Sequence, residues 1–419
     1  MKNNHTPEIR FAGFSGDWEQ LKLGEVVEIK DSARISNTLW VSRGVPYLRS
    51  SDLANDEIEG ELFISDETYQ SYKDKTGAPE KDDVLFTSGG KVGVTYHKID
   101  DNPVYVQGGS ILYAKTSTSS KLSGIYLKAF FSSPMMTKYM EGASTGLTIK
   151  HFTLKPANAA PIFISSLKEQ NAIGEFFKQL DDTIAFHQQE LTTLKQTKQG
   201  FLQKMFPKKG ESMPEIRFPG FTEDWEQRKF GEIFDVHTDF VSNGSFQALK
   251  DNVKLYTQEN YAYMIRLQDA SNNWKGPWLY TDKKGFDFLK KSTVYENDIL
   301  MSDRGTIGKF FQVPKLNKPM TLSSNAVLLR SSKNDNSFIY YMLNTENIKN
   351  QIVIRTTPGV QPMISKTEFK KILSSLPLID EQQKIGSFFK QLDDTITLHQ
   401  RELDALQETK KAFLQKMFA

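Results

Sequence analysis

Two long segments of this 419-residue chain are near copies of each other. Glu169–Phe206 reads EQNAIGEFFKQLDDTIAFHQQELTTLKQTKQGFLQKMF, and Glu381–Phe418 reads EQQKIGSFFKQLDDTITLHQRELDALQETKKAFLQKMF. They share 26 of 38 residues at an offset of 212. Self-similarity over such a length indicates that the chain is a tandem duplication.

A shorter repeat opens each half. Pro7–Phe14 reads PEIRFAGF and Pro214–Phe221 reads PEIRFPGF, and Asp-Trp-Glu-Gln follows soon after both. Between the repeated flanks the halves diverge, with echoes such as Asp83-Val84-Leu85 against Asp298-Ile299-Leu300. Repeated flanks around divergent interiors suit two copies that perform the same function on two different targets. Ordinary drift after duplication is the alternative.

The duplicated segments carry a heptad seam. Apolar side chains recur in alternating steps of four and three, which is typical of coiled-coil helices. The predicted seam residues are Ile173, Phe177, Leu180, Ile184, Leu191 and Leu194 in the first segment and Ile385, Phe389, Leu392, Ile396, Leu403 and Leu406 in the second.

Two matching apolar stripes in one chain most simply bury each other, and a pseudo-two-fold relation between the halves makes the helices antiparallel. A helix of 38 residues is about 57 Å long, enough to separate two domains by one turn of B-DNA. The polar seam residues favour a role in specifying register over a metal site; they are His187, Lys198, His399 and Lys410.

Each half also predicts a mixed α+β domain. Short β-branched and aromatic runs such as Ser110–Ala114 and Asn325–Leu329 alternate with turn-forming residues. Helices are predicted at Gly124–Tyr139 and Ser337–Gln351. The predicted organisation is two globular target-recognition domains in pseudo-two-fold tandem repeat, separated by two long antiparallel coiled-coil helices: residues 1–165 and 214–379 form the domains, 166–206 and 380–419 the helices, and 207–213 a linker.

One candidate nucleic-acid-binding segment follows a predicted strand in each half. Small residues at Gly90 and Gly305 allow a tight turn and a close approach of the backbone to a phosphate or base, and a purely structural hairpin is the alternative. Lys91 beside the first glycine can neutralise a phosphate. Arg304 beside the second can bind guanine through two hydrogen bonds.

A second polar segment in each half has the side chains that contact base edges. Residues 144–151 read STGLTIKH, and residues 355–361 read RTTPGVQ. Any polar loop has a similar composition, so the functional and the ordinary interpretations both stay open. The candidate DNA-binding residues are Thr145, Thr148 and Lys150 in the first half and Arg355, Thr356 and Gln361 in the second.

The composition excludes several classes of function. The chain has no cysteine, which rules out disulfides, thiolate metal sites and thiol catalysis. Asn102-Pro103-Val104-Tyr105 lacks the second proline of an adenine methyltransferase motif, and no phosphate-binding GxxxxGK[ST] segment is present. No apolar run of about 18 residues occurs. We therefore expect a non-catalytic, cytoplasmic protein that binds no metal and no membrane.

Taken together, the repeated motifs resemble those of the specificity subunits of type I restriction-modification systems. The resemblance covers essentially the whole chain: Arg-Phe-x-Gly-Phe with Asp-Trp-Glu-Gln opens each domain, Glu-Gln leads into each long helix, and Phe-Leu-Gln-Lys-Met-Phe closes both. Members of that family often have prolines just before the Glu-Gln, where this chain has Ser165–Lys168 in the first half. The departure concerns the entry into the helix.

The resemblance implies that each domain recognises one half of a bipartite site in double-stranded DNA while the helices set the unread spacer. It also implies two docked methyltransferase (modification) subunits with S-adenosylmethionine, and restriction/translocase subunits with ATP and Mg. This chain itself is then expected to bind no cofactor. A protein-binding scaffold is the competing class, and it predicts no salt-sensitive or sequence-dependent binding of DNA.

Overall fold

The computed structural model describes residues 4–54, 58–146, 150–324 and 326–418. The chain forms two compact units. The first unit contains Met1–Gln189 together with Arg401–Ala419, and the second contains Glu190–Gln400. Within the described ranges no helix is both long enough and apolar enough to cross a membrane.

The first unit contains both strands and helices. Its strands are β1 Asn4–His5, β2 Trp18–Lys22, β3 Ile29–Asp31, β4 Trp40–Val41, β5 Val45–Leu48, β6 Phe63–Ile64, β7 Val84–Thr87, β8 Thr95–His97, β9 Tyr105–Val106, β10 Ile111–Ala114 and β11 Pro161–Ile164. Its helices are α1 Leu23–Val26, α2 Ser50–Ala54, α3 Asp66–Thr76, α4 Gly124–Phe131, α5 Pro134–Ala143 and α6 Leu154–Ala159, with 3-10 turns at Asn37–Leu39 and Thr116–Thr118. The first unit also contains residues 167–189 of the long helix α7 Leu167–Lys204 and residues 401–417 of the second long helix, α15 Ile379–Met417.

The second unit repeats the pattern. Its strands are β12 Glu226–Lys229, β13 Val236–Asp239, β14 Ala262–Ile265, β15 Tyr280–Thr281, β16 Thr293–Val294, β17 Ile299–Met301, β18 Phe310–Gln312, β19 Met320–Leu322, β20 Val327–Arg330 and β21 Leu373–Leu376. Its helices are α8 Phe230–Ile233, α9 Phe246–Asn252, α10 Leu267–Ser271, α11 Lys283–Phe288, α12 Asn336–Leu343, α13 Glu346–Arg355 and α14 Lys366–Lys370, with 3-10 turns at Phe240–Asn243 and Lys290–Ser292. The second unit also contains residues 190–204 of α7 and residues 379–400 of α15.

The two units share the topology of their central sheet, as the duplication predicts. The central antiparallel sheet has the order β3-β10-β7-β8 in the first unit and β13-β20-β17-β18 in the second. A second sheet in each unit contains one parallel pair, β5 with β9 and β14 with β19. The central strands are buried on both faces; Phe86 pairs with Leu112, and Leu300 with Leu328. The predicted mixed α+β architecture in two tandem domains is confirmed.

The single helices predicted at Gly124–Tyr139 and Ser337–Gln351 are wrong, because each position holds two shorter helices. In the first unit α4 ends at Phe131, and Ser133 caps the next helix by accepting a hydrogen bond from the Met136 N–H at 3.2 Å. Pro134 at the first helical position has no N–H to continue the preceding helix. In the second unit α13 begins after Thr345, whose hydroxyl donates to the Met342 carbonyl at 2.8 Å.

Segments of the two long helices pack antiparallel within each unit. In the first unit Phe176 stacks edge-on against Phe413 with ring centroids 5.0 Å apart. In the second unit the corresponding rings, Phe388 and Phe201, are 5.1 Å apart. In both units a residue near the start of one helix contacts a residue near the end of the other. The predicted antiparallel direction is therefore confirmed within each unit.

The predicted seam is buried to different degrees. Its deepest side chains are between 0% and 5% exposed, and they are Ile173, Phe177, Leu191, Ile385, Phe389 and Leu403. The other six are partly buried: Leu180, Ile184, Leu194, Leu392, Ile396 and Leu406. Each seam lysine pairs with an aspartate, Lys410 with Asp181 in the first unit and Lys198 with Asp393 in the second, the latter at 2.5 Å. Each ion pair forms at one alignment of the two helix segments. This suits the predicted role of the lysines in specifying register.

The repeated motifs at the ends of each domain are structural. The Arg10 guanidinium forms two hydrogen bonds with the buried Glu169 carboxylate, at 2.6 and 2.8 Å. Arg217 and Glu381 repeat this pair at 2.7 and 2.8 Å. Because a buried carboxylate without a partner is costly, the Arg-Phe motif and the Glu-Gln motif depend on each other across about 160 residues.

The glutamine of each Glu-Gln motif holds the start of a domain helix. The Gln170 amide oxygen accepts a hydrogen bond from the Ser123 N–H at 3.0 Å, just before α4. Gly174, one turn later, lies so close to this helix that a Cβ there would approach Ile125 Cγ2 to 2.5 Å. A larger residue at position 174 would therefore separate α7 from the domain.

A phenylalanine just after each long helix enters a domain core. Phe418 is 1% exposed and lies among aromatic rings that include Trp18 and Phe177. Phe206 lies against Trp225 and Phe389 in the second unit. Each core is thus completed by a side chain that follows a long helix.

We expect Phe418→Ala to destabilise the first unit by about 3–5 kcal/mol, since the substitution leaves a cavity among buried aromatic rings. Hydrogen exchange of β7 and β10 measures the loss. Gln415→Ala, at an exposed position in the last turn of α15, is the control and should leave exchange unchanged. Unchanged protection in the Phe418 variant would contradict the role of this ring.

Candidate nucleic-acid interface

The first candidate segment of the first unit is a tight turn between β7 and β8. The Gly93 N–H donates to the Thr87 carbonyl at 3.0 Å, and the Thr87 N–H donates to the Val94 carbonyl at 2.9 Å. Gly90 has a φ of +76° at an exposed position, a conformation that strongly favours glycine. The turn projects Gly90 and Lys91 from the end of the central sheet.

The second candidate segment is pinned to this turn. Thr145 and His151 exchange two backbone hydrogen bonds, at 3.0 and 2.7 Å, which close a short loop between them. The Phe152 N–H then donates to the Ser88 carbonyl at 2.7 Å. The structure therefore joins the two segments, which the sequence predicts separately, into one loop pair; its described residues are 87–94, 144–146 and 150–152.

The second unit builds the same loop pair from residues 302–309 and 356–364. Thr357 and Met363 exchange backbone hydrogen bonds at 2.9 and 3.2 Å. The Gly305 N–H donates to the Pro362 carbonyl at 3.0 Å, and the Ile364 N–H donates to the Asp303 carbonyl at 3.0 Å. Gly305 also has a positive φ, of +73°. The equivalent bonds in both units show that the loop pair belongs to the common frame.

The side chains on this frame differ between the units. Gly89 of the first turn lies beside His151, so that a Cβ there would come within 3.2 Å of the imidazole Nδ1. In the second unit Arg304 takes the place of Gly89 and Met363 takes that of His151, as their equivalent bridges show. The two loop pairs therefore present different chemistry from the same backbone.

In the first unit the predicted residues that the structure describes are all exposed. They are Gly90, Lys91, Thr145 and Lys150. Thr148 lies outside the described residues. His151 was not among the predicted site residues, although it is exposed and closes the loop. Its position directly after Lys150 was the one available signal.

In the second unit the predicted residues are also brought together on the loop pair. Arg304 is 52% exposed and lies 3.2 Å from the Asp303 carboxylate, and Gln361 is exposed. Arg355 is half-buried and donates to the Gln351 carbonyl at 3.2 Å. The Thr356 hydroxyl donates to the Ile352 carbonyl at 2.8 Å, so only its acceptor lone pairs are left for a ligand.

A half-buried histidine packs against α14, the helix that follows the second loop pair. Lys366, at the start of α14 and two residues after the loop, donates to the His237 carbonyl, and the His237 ring packs edge-on against Phe369. Burial, together with the positive charges of Lys366 and Lys370, lowers the pKa of His237 to about 4. The imidazole is therefore neutral at neutral pH.

Comparison with known proteins assigns the chain to a family. Residues 15–196 and 222–408 match the type I restriction modification DNA specificity domain, one copy in each half. The chain belongs to this family. Its members are DNA-recognition subunits and not catalysts, which agrees with the expectation of a non-catalytic specificity subunit.

Individual relatives agree with the family match. The type I restriction enzyme MjaVIII specificity subunit of Methanocaldococcus jannaschii is 23% identical over 311 residues, covering 70% of this chain and 69% of its own. The MjaX protein of the same organism, provisionally named a type I restriction enzyme specificity subunit, is 23% identical over 418 residues, or 95% of this chain and 92% of its own. The crystal structure of a type I S subunit from M. genitalium has the same fold, with a TM-score of 0.60, 14% identity and 99% coverage of both chains.

We expect the second unit of this specificity subunit to lose stability in mild acid through His237. Because the folded-state pKa is about 4 and the unfolded value is about 6.5, the unfolded chain binds the proton more tightly. The contribution to stability is complete above about pH 6.5 and is lost as the pH falls towards 4.

His237→Leu should remove that contribution. The free energy of unfolding, measured at pH 7 and pH 5, should therefore fall less in the variant than in the wild type. An equal fall in both proteins would contradict this assignment. Carboxylates elsewhere titrate alike in the two proteins and cancel in the comparison.

Proposed function

We propose that each unit recognises one half of a bipartite site in double-stranded DNA through its loop pair. The observation that supports this most directly is the joining of two predicted DNA-binding segments, in both units, by equivalent backbone hydrogen bonds. A repeated frame with different side chains suits recognition of two different half-sites. The long helices, each of which has residues in both units, would then set the unread spacer.

The charge of the loop pairs suits contact with phosphates. Residues 87–94 and 144–152 contain no acidic residue but include Lys91 and Lys150. In the second unit the one acidic residue of the loop pair, Asp303, is paired with Arg304. Lysine and arginine at exposed loops supply the sequence-independent part of DNA affinity, and arginine also contacts guanine in the major groove.

Lys150 and Arg304 should behave differently when replaced by alanine. Lys150→Ala should weaken binding about equally for all DNA sequences and lower the slope of affinity against salt by about one, as expected for one phosphate contact. Arg304→Ala should make one position of the target motif degenerate, in one half only. Sequencing of N6-methyladenine, with the cognate modification subunit present, reports the motif.

Lys315→Ala, on the exposed connection between β18 and β19, is the control and should leave motif and affinity unchanged. Lack of any motif-specific methylation by an assembled, active complex would reject DNA recognition by this chain. A protein-binding scaffold, the competing class, predicts that outcome together with the absence of salt-sensitive DNA binding.

We propose further that the long helices dock two copies of one modification subunit. Nine consecutive residues, Phe176–Ile184 and Phe388–Ile396, are identical in the two helices. The packing of each unit explains the apolar members and the ion-paired aspartate. It does not explain the four exposed members of each segment. They are Lys178, Gln179, Asp182 and Thr183 in α7 and Lys390, Gln391, Asp394 and Thr395 in α15.

Other exposed positions of the same helices differ, for example Glu175 against Ser387 and Gln199 against Lys411. An exposed surface that is kept twice is therefore best explained by the same partner binding twice. Large exposed apolar residues lie next to both copies, Phe186 at 57% and Leu398 at 54% exposure. In this proposal the modification subunits supply S-adenosylmethionine, and restriction subunits supply ATP and Mg.

Substitution of one copy of the shared surface should remove one partner. We expect Gln179→Arg to reduce the number of bound modification subunits from two to one, as measured by native mass spectrometry, and Gln179→Arg with Gln391→Arg to abolish binding. Gln199→Arg, at an exposed position that differs between the copies, should leave two bound. Full binding by the double variant would place the docking surface elsewhere.

A further inference from the structure

The second unit exposes aliphatic side chains around its loop pair. Val360 lies at the tip of the loop between Thr357 and Met363 with its side chain fully exposed, at 106%. Val353 and Ile354, at the end of α13 just before the loop, are 71% and 78% exposed. A group of exposed aliphatic residues at a predicted binding site is more informative than a single one elsewhere on the surface.

The loop that carries Val360 is held firmly. Backbone hydrogen bonds join its two ends, and a third joins the Pro362 carbonyl to the Gly305 N–H at 3.0 Å. Three bonds that use only backbone atoms set the position of the tip, whatever side chain it carries. The exposure of Val360 is thus a property of the loop conformation and not of a loose segment.

The next residue, Gln361, is also exposed. A glutamine can pair with the N6 and N7 atoms of adenine through two hydrogen bonds, and an aliphatic group can contact the C5 methyl of thymine in the major groove. Adjacent Val and Gln side chains at one loop tip therefore match the two chemical features that distinguish A·T pairs from G·C pairs.

We propose that Val360 and Gln361 are specificity-determining residues: Val360 contacts the C5 methyl of a thymine, and Gln361 the adenine edge of the same or the next base pair, in the half-site of the second unit. The inference rests on the proposed DNA-recognition function. The surrounding charges favour DNA as the occupant, since Arg304, Arg355 and Lys366 flank the loop and the one acid of the loop pair is already paired.

The experiment removes the methyl group from the DNA and the side chain from the protein. The full chain, assembled with its modification subunits, is titrated with duplexes carrying the motif found by methylation sequencing. In each duplex one thymine is replaced by deoxyuridine, which lacks the C5 methyl group but pairs normally. Affinity is compared for the wild type, Val360→Ala and the control Val241→Ala, another exposed valine of the same unit.

We expect one deoxyuridine in the second unit's half-site to weaken wild-type binding about fourfold, the value for one buried methyl-sized group. The same replacement should have no effect on Val360→Ala, whose own affinity should be about fourfold lower on unmodified DNA. Val241→Ala should behave as the wild type. Gln361→Ala should relax the motif at one A·T position in that half.

Several results would overturn the inference while leaving DNA recognition intact. They are a half-site without thymine, equal effects of deoxyuridine on the wild type and Val360→Ala, and a loss of modification-subunit binding by Val360→Ala when no DNA is present, which would show that the aliphatic group contacts a protein. Lack of any two-part methylation motif would instead reject the proposed function itself, and the inference with it.

Discussion

The burial of the phenylalanine that follows each long helix is the interaction on which the rest of the molecule depends. Phe418 completes the core around Trp18, and Phe206 completes the core around Trp225. A long helix therefore cannot slide or change length without opening a core of close-packed aromatic rings. This constraint explains why the helix ends, with the Arg–Glu pairs that support them, are nearly identical in the two halves while the domains between them have diverged.

Much of this frame could be predicted from the sequence, because it depends on local periodicity. The alternating steps of four and three identified both long helices and the side chains that they bury, and the repeat identified the two domains. The role of the motifs was less accessible. Glu169 and Gln170 mark a helix entry in the sequence, but their partners, Arg10 and Ser123, lie far away in the chain. Periodicity within a segment says nothing about such distant polar contacts.

The candidate site was predictable in parts and not as a whole. Glycines after a strand and a polar loop further along the chain were each recognisable, yet neither indicated that Gly305 donates to Pro362 or that Ser88 accepts from Phe152. These contacts use backbone atoms, which leave no trace in residue identity. The break between α4 and α5 was missed although Pro134 marks it, because apolar spacing continued across the proline.

The use of backbone atoms also explains how the two units can differ so much at the loop pair. Thr145 bonds to His151 in one unit and Thr357 bonds to Met363 in the other, although histidine and methionine share no chemistry. A loop held in this way keeps its shape when its exposed side chains change, so such a change costs little folding free energy. The glycines that both units share, Gly90 with Gly305 and Gly93 with Gly308, supply the left-handed backbone conformations that other residues adopt at a cost. Variation is thereby confined to the exposed side chains that a ligand would contact. The backbone of the loop pair can carry different side chains there without changing its conformation.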